Sequence, residues 1–418
     1  MNLVKPNHID AASLFFRSVA IRQLPSILLV VILLLSPLEA VSGQADEIHV
    51  DTHTEYKYGS TINFSAQIQG VSEVIRAAVF IREGSSEFPN VAIAVLSDGS
   101  TISAEVIEEV QALGVEPFST ITYWWQIDFA NGDNYITDPV SFVYEDNRFD
   151  WHSLGNSNIT VHWIEGELTR GQDILNLASD SILKIQRDLA LPALDHVSIY
   201  TYPTAGQLQS SIRMGGATWV GGHAQPELRT VLLTAPTGVE GQISLERDLP
   251  HELVHILLYE RMGDQYHNLP TWLNEGLATL QEGVPNPAYI FELDRAAREN
   301  ALISMHSLCA SFPISEEDAL LAYAQSASFT QYLLDIYGVG GVALLLDAYQ
   351  EGTSCEGGVQ RVYQRPISQL ENEWRWTTLS NPNLLDFAQP LLPWVLLGLS
   401  VLVVFGVILL LSRRQHKG

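Results

Sequence analysis

The apolar residues of this chain change their period once, and that change constrains the fold more than any other feature. "STINFSAQI", "IRAAVFIRE", "STITYWWQIDF" and "PVSFVYED", all within residues 46–145, alternate apolar and polar side chains. Alternation turns one face of a strand towards a core and the other towards water. "ANGDN" (130–134) supplies a hairpin turn between two of these strands. One patch, "SAEVIEEVQALG", is helix-permissive and interrupts the series. The spacing predicts a compact antiparallel β-sandwich over 46–147. Trp124 and Trp125 are adjacent, so on a strand one enters the core and the other faces outward. From "RFDWHSL" (148–154) the character shifts. "ITVHWIEG" and "HVSIYTYP" read as strands around a helical "GQDILNLASDSILKIQRDLA". "TWVGGHAQPELRTVLLTAP" (218–236) is strand-like again, and helices dominate from there to about residue 375. Strands first and helices later predict an α+β second domain over 148–376.

The two ends set the expected topology. "LPSILLVVILLLSPLEAVSG" follows a segment with Lys5, Arg17 and Arg22, and its unbroken apolar run, Ile27 to Leu35, is too short to span a bilayer. A basic flank, a short apolar core and small residues at Ala40, Ser42 and Gly43 predict a secretory signal peptide over 1–43. The other reading of this segment is an uncleaved anchor. Leu391 to Leu411 carries no charge over 21 residues, and at 1.5 Å per residue it reaches roughly 30 Å, the thickness of the hydrocarbon layer. Arg413, Arg414 and Lys417 follow it in a basic tail, 412–418. The positive-inside rule keeps that tail in the cytoplasm. The expected arrangement is a single-pass protein of the cell membrane, its ectodomain outside and joined to the span by a linker over 377–390. The formal net charge of the whole chain is −26, and the six basic residues just named all lie in the terminal segments. The ectodomain is therefore more acidic still, which excludes nucleic acid as a partner and makes anionic lipid surfaces poor ones. The only cysteines, Cys309 and Cys355, face an oxidising compartment in this arrangement, which permits a disulfide; sequence does not give their separation in space.

"LPHELVHILLYE" (249–260) carries the chemistry. His251 and His255 stand four apart, so on a helix both imidazoles share one face and bind one ion. Glu252 points to the side of that ion, where a carboxylate takes a proton from bound water and returns it to a leaving amine. Pro250 suits the first turn of a helix; in a helix that starts earlier, at Ile243, it causes a kink. "LPTWLNEGLATLQEG" (269–283) reads as a second helix opening at Pro270, with Glu275 twenty residues after His255. Two histidines and one glutamate are the three protein ligands that leave a catalytic zinc one open position. Ala278 is small enough for the two helices to approach closely. Glu282, two turns beyond Glu275 on the same face, either orients a ligand histidine or faces solvent.

His251-Glu252-x-x-His255 followed by "WLNEGLA" resembles the gluzincin zinc metallopeptidases, most closely the peptidase MA-like family. The resemblance spans roughly 150–375, and its specific part is 249–282. It implies a thermolysin-like α+β fold, so that the whole chain is multidomain. An all-β immunoglobulin- or fibronectin-like sandwich precedes a metallopeptidase domain, and a transmembrane helix follows. It further implies one Zn2+ per chain held by His251, His255 and Glu275, with Glu252 as general base and a peptide or protein as substrate. "YAQSASFTQYLLDIYG" (323–338) is similar to a clan segment that opens with an oxyanion-stabilising tyrosine, which carries over to Tyr323; a core tyrosine is the other reading. The clan also places an antiparallel edge strand beside its cleft. Gly221 and Gly222 stand where that strand is expected and allow close backbone approach. The Gly-x-Met-Glu-Asn motif of the clan's aminopeptidases is absent from this sequence, so strict aminopeptidase action is not implied. The competing function is a non-catalytic surface binding or adhesion protein with a peptidase-like domain.

Overall fold

The computed structural model describes residues 48–379 apart from 70–72, 85, 98, 100 and 213–220. The expected signal peptide, transmembrane helix, basic tail and most of the linker lie outside the described residues.

The first domain is built from β1 (His49–Lys57), β2 (Thr61–Gln69), β3 (Val74–Glu83), β4 (Asn90–Ile93), β5 (Val95–Leu96), β6 (Ile102–Glu109), a single helical turn α1 (Val110–Leu113), β7 (Thr120–Phe129), β8 (Asn134–Ile136) and β9 (Val140–Val143). One sheet runs β1-β2-β6-β5 and the other β4-β3-β7-β8, with β9 also on β7; every pairing is antiparallel. Their inner faces interdigitate through Ile62, Phe64, Val79, Ile81, Tyr123, Trp125 and Ile127, which closes a sandwich core. Trp125 is the tryptophan that enters this core. Trp124 turns outward and stacks on Phe80 at 5.5 Å, with the Arg82 guanidinium 5.9 Å from its ring centre. The helix-permissive patch is mostly strand: β6 takes 102–109 because Ala104 and Val106 then face the core, and only Val110–Leu113 coil. Packing outweighs local propensity there.

The second domain holds β10 (His152–Gly155), β11 (Ile159–Trp163), α2 (Leu168–Leu189), β12 (Val197–Tyr202), α3 (Ala205–Ser211), β13 (Gly222–Gln225), β14 (Thr230–Thr234), α4 (Val239–Met262), α5 (Thr271–Thr279), α6 (Pro287–Glu299), α7 (Glu316–Gln350), α8 (Cys355–Tyr363) and α9 (Ile367–Trp374). Its sheet runs β10-β11-β12-β14-β13. β11, β12 and β14 are parallel, and the two edges are antiparallel. A parallel neighbour requires a crossover, and α2 provides it between β11 and β12. Ile174, Ala178, Ile182, Ile185 and Leu189 recur at helical spacing along the buried face of α2. α4 packs on α2, β14 and β13, and Leu249, Leu253, Val254, Ile256 and Leu257 are fully buried along it. α5 lies between α4 and α7. Gly276 permits the second of these contacts, since a Cβ there would fall 2.3 Å from Thr330 Oγ1. Among the described residues α7 alone is long and apolar enough to cross a membrane, by length and composition only. Its chain breaks at Gly338 (φ 68°), and Ala322, Phe329, Leu333 and Leu345 pack into the core. Cys309 and Cys355 form a disulfide, joining the turn before α7 to the start of α8.

The domains meet across a small aromatic core. Phe118, at the mouth of the sandwich, sits 4.5 Å from the ring of Tyr200. The Tyr58 hydroxyl donates to Ser211 O at 2.5 Å, and Gln225 Nε2 donates to Pro117 O at 3.3 Å. Asp146 is fully buried there and accepts from Arg148 (2.7 and 2.6 Å) and from the Tyr202 hydroxyl (3.1 Å). Asp146→Ala leaves a guanidinium and a phenol without their acceptor. The expected cost is about 3 kcal/mol, read as a lower urea midpoint; an unchanged midpoint would show that this network adds no stability.

Candidate metal centre

α4 carries both histidines on one face. Pro250 lies inside this helix and not in its first turn. His251 and His255 each point Nε2 at Glu275 of α5, with Oε2 of Glu275 3.3 Å from the first and 3.7 Å from the second. The ligand atoms of the three residues all lie within 4.8 Å of one another. A tetrahedral zinc with bonds near 2.0–2.1 Å needs donor atoms roughly 3.4 Å apart, so the set fits the ion the sequence implied. Oε2 of Glu275 is also buried without a well-formed hydrogen bond, which leaves a lone pair for a cation.

The far nitrogens of the imidazoles are both occupied. His251 Nδ1 lies 3.2 Å from Glu282 Oε1, and His255 Nδ1 lies 3.0 Å from Asn274 Oδ1. Each acceptor holds a proton on Nδ1 and so frees Nε2 as the donor to a metal. Tyr266 fixes the amide of Asn274: Nδ2 donates to its hydroxyl at 2.9 Å, which turns Oδ1 towards His255. Asn274 and Tyr266 were given no role from sequence. Asn274 stands beside Glu275 in "NEGLA", and that adjacency is its sequence signal; Tyr266 lies in the turn after α4 and gives none. Glu282 is not on the second helix, which ends at Thr279. It reaches His251 from the turn that follows, so the expected shared helical face is corrected while the contact exists.

Burial sets the charges of this group. It pushes the Glu252 carboxyl up from 4.5 to about 8, with nearby Glu275 and Asp248 adding to the rise and His251 opposing it. Burial likewise lowers His255, more than Glu275 restores, so this imidazole stays neutral and able to ligate. His251 goes the other way: burial pulls it down, and the carboxylates of Glu275 and Glu282 more than offset this. Burial raises Glu275, but the two imidazoles prevail and keep it ionised.

Glu252 lines one cavity of about 370 Å³ together with Gly222, Asp248, Glu282, Glu316 and Tyr323. Gly221 and Gly222 lie against carboxylates of α4. A Cβ on Gly222 would fall 2.7 Å from Glu252 Oε1, and one on Gly221 2.5 Å from Asp248 Oδ2. Among the described residues β13 is the outer strand of its sheet, and it pairs with β14. Tyr323, on α7, places its ring 6.0 Å from that of His251 and packs against Phe312 and Tyr289.

An HExxH helix crossed by a second helix whose glutamate faces both imidazoles is the arrangement that the gluzincin resemblance implies. Residues 177–380 match the family model of the Peptidase MA superfamily. No curated protein matches the chain. Among solved structures, an M1 zinc metallopeptidase from Deinococcus radiodurans is similar at 14% identity, covering 79% of this chain and 93% of its own, with a TM-score of 0.37. An aminopeptidase N family protein from Idiomarina loihiensis is similar at 9% identity, covering 78% of this chain and 76% of its own, with a TM-score of 0.33. A carbohydrate-binding module of family 56, a beta-1,3-glucan binding domain, is similar at 12% identity over 22% of this chain and 98% of its own, with a TM-score of 0.17. Likenesses at these scores assign no residue and no activity here.

Proposed function

We propose that this chain is a zinc metallopeptidase that hydrolyses peptide bonds outside the cell, anchored by residues 391–411. The observation that carries the reading is the convergence of two Nε2 atoms on Glu275 Oε2, with the Glu252 carboxylate beside them in an open cavity. One zinc ion held by His251, His255 and Glu275 would supply Lewis acidity, lowering the pKa of a water and polarising a carbonyl. Glu252 accepts the proton released from that water and hands it to the departing amine. β13 offers backbone groups at a sheet edge, where an extended peptide adds as a further strand. The Tyr323 hydroxyl, on the same cavity, donates to the oxyanion that develops at the attacked carbonyl. The membrane anchor and outward ectodomain are supported by the terminal segments of the sequence.

The test is zinc stoichiometry together with cleavage of a mixed peptide library by the full chain. One zinc per chain and cleavage that stops on chelation are expected. Stoichiometric zinc with every peptide left intact would favour a non-catalytic binder. Tyr323→Phe is expected to lower kcat about 100-fold at unchanged zinc content. An unaffected kcat would return Tyr323 to a packing role among Phe312 and Tyr289.

A further inference from the structure

A proline inside a helix removes one backbone N–H and leaves the carbonyl four residues earlier without its helical partner. In α4 that proline is Pro250, immediately before His251, and the freed carbonyl is that of Glu246. This carbonyl is not left open: the backbone N–H of Gly283 donates to it at 2.8 Å. A Cβ on residue 283 would lie 2.6 Å from the same oxygen, so a residue other than glycine must draw back. Gly283 directly follows Glu282, whose Oε1 meets His251 Nδ1 at 3.2 Å.

The turn after α5 is tied back to that helix by Gln281 N to Ala278 O at 3.0 Å and Glu282 N to Thr279 O at 3.3 Å, and the Gly283 contact adds the tie to α4. Gln281 is tied on one side by Lys184 Nζ at 2.6 Å. The carboxylate of Glu282 does little to fix itself: Oε2 is buried without a hydrogen bond, and the Tyr289 hydroxyl stands 3.5 Å from Oε1.

We propose that Pro250 and Gly283 are positioning residues for the metal centre: the proline frees the Glu246 carbonyl, Gly283 docks on it, and the docked turn holds Glu282 on His251. This rests on the metal-centre reading above and extends it to two residues that touch neither metal nor substrate. Replacing Pro250 by alanine restores an N–H that closes the helical bond to Glu246, in competition with Gly283. The same replacement removes the helix-interior penalty of proline. Zinc affinity and thermal stability should therefore move in opposite directions, which a merely structural role would not produce.

The experiment measures zinc Kd by chelator competition, and Tm after metal removal, on the full chain with Pro250→Ala, Gly283→Ala, Glu282→Gln and the Pro250→Ala/Glu282→Gln double variant. Pro250→Ala is expected to raise the zinc Kd about tenfold, within the range for disturbing a ligand's hydrogen-bond partner, while the metal-free Tm rises. Gly283→Ala is expected to weaken zinc similarly. In the Glu282→Gln background Pro250→Ala is expected to add nothing further. Unchanged zinc Kd in Pro250→Ala, or losses that multiply with that of Glu282→Gln, would overturn the inference. Zinc bound as expected without any peptide hydrolysis defeats the peptidase reading and leaves this one standing; a wild-type chain that binds no zinc defeats both.

Discussion

Glu252→Gln is expected to cut peptide hydrolysis by about 10²–10⁴-fold, the usual contribution of a general base, while zinc content stays at one per chain. Glutamine keeps the shape and the neighbours of Glu252 but can neither take nor return a proton. The assignment predicts that kcat falls and metal content does not, and retained turnover would contradict it. A second readout needs no substrate. Burial raises this carboxyl from 4.5 to about 8, so between those pH values the folded, metal-free chain holds a proton that the unfolded chain has released. Stability from this group is therefore greatest at and below pH 4.5 and declines as pH rises towards 8. One pKa unit is worth about 1.4 kcal/mol, which makes the decline a few kcal/mol. Glu252→Gln removes it. Urea unfolding of chelated protein at pH 5 and pH 9 should show the variant gaining on wild type at the higher pH, and equal slopes would mean that Glu252 is not held in so dry a place.

Much of this site was legible because its first requirements are local. A spacing of four on a helix puts two imidazoles together whatever surrounds it, and Glu275 needed only a second helix at a plausible distance. The alternation over 46–145 gave the sandwich for the same reason. The gaps arise where the outcome depends on what the chain meets after it folds. β6 was open to helix until the opposing sheet gave Ala104 and Val106 a core to enter. Pro250 is compatible with two helix starts, and its place inside α4 frees the Glu246 carbonyl, which meets Gly283 37 positions further along. Glu282 was placed on a helix that stops before reaching it. Tyr202 meets Asp146 across 56 positions and Asn274 meets His255 across 19, and no periodic signal announces which donor will meet which acceptor.

Glu275→Ala is expected to have the larger effect on the metal. Losing a hydrogen-bond partner of a ligand typically costs about 10–100-fold in metal affinity, and Glu282→Gln should fall in that range. Glu275→Ala removes a donor atom itself, so its loss should exceed that range and leave no zinc through gel filtration. Two further consequences follow from the geometry. Oε2 of Glu275 is the negative charge between the two Nε2 atoms, so its removal leaves imidazoles with no anionic partner at that corner. Glu275→Gln, which keeps an oxygen but not the charge, should retain more zinc than alanine and less than wild type. Ligand binding to the folded state also raises Tm by mass action, so added zinc should stabilise wild type and fail to stabilise Glu275→Ala at the same concentration. If Glu275→Ala keeps one zinc per chain and the full zinc-dependent rise in Tm, the carboxylate is not a ligand. The convergence of α4 and α5 would then be packing, and the hydrolytic reading built on it would fall.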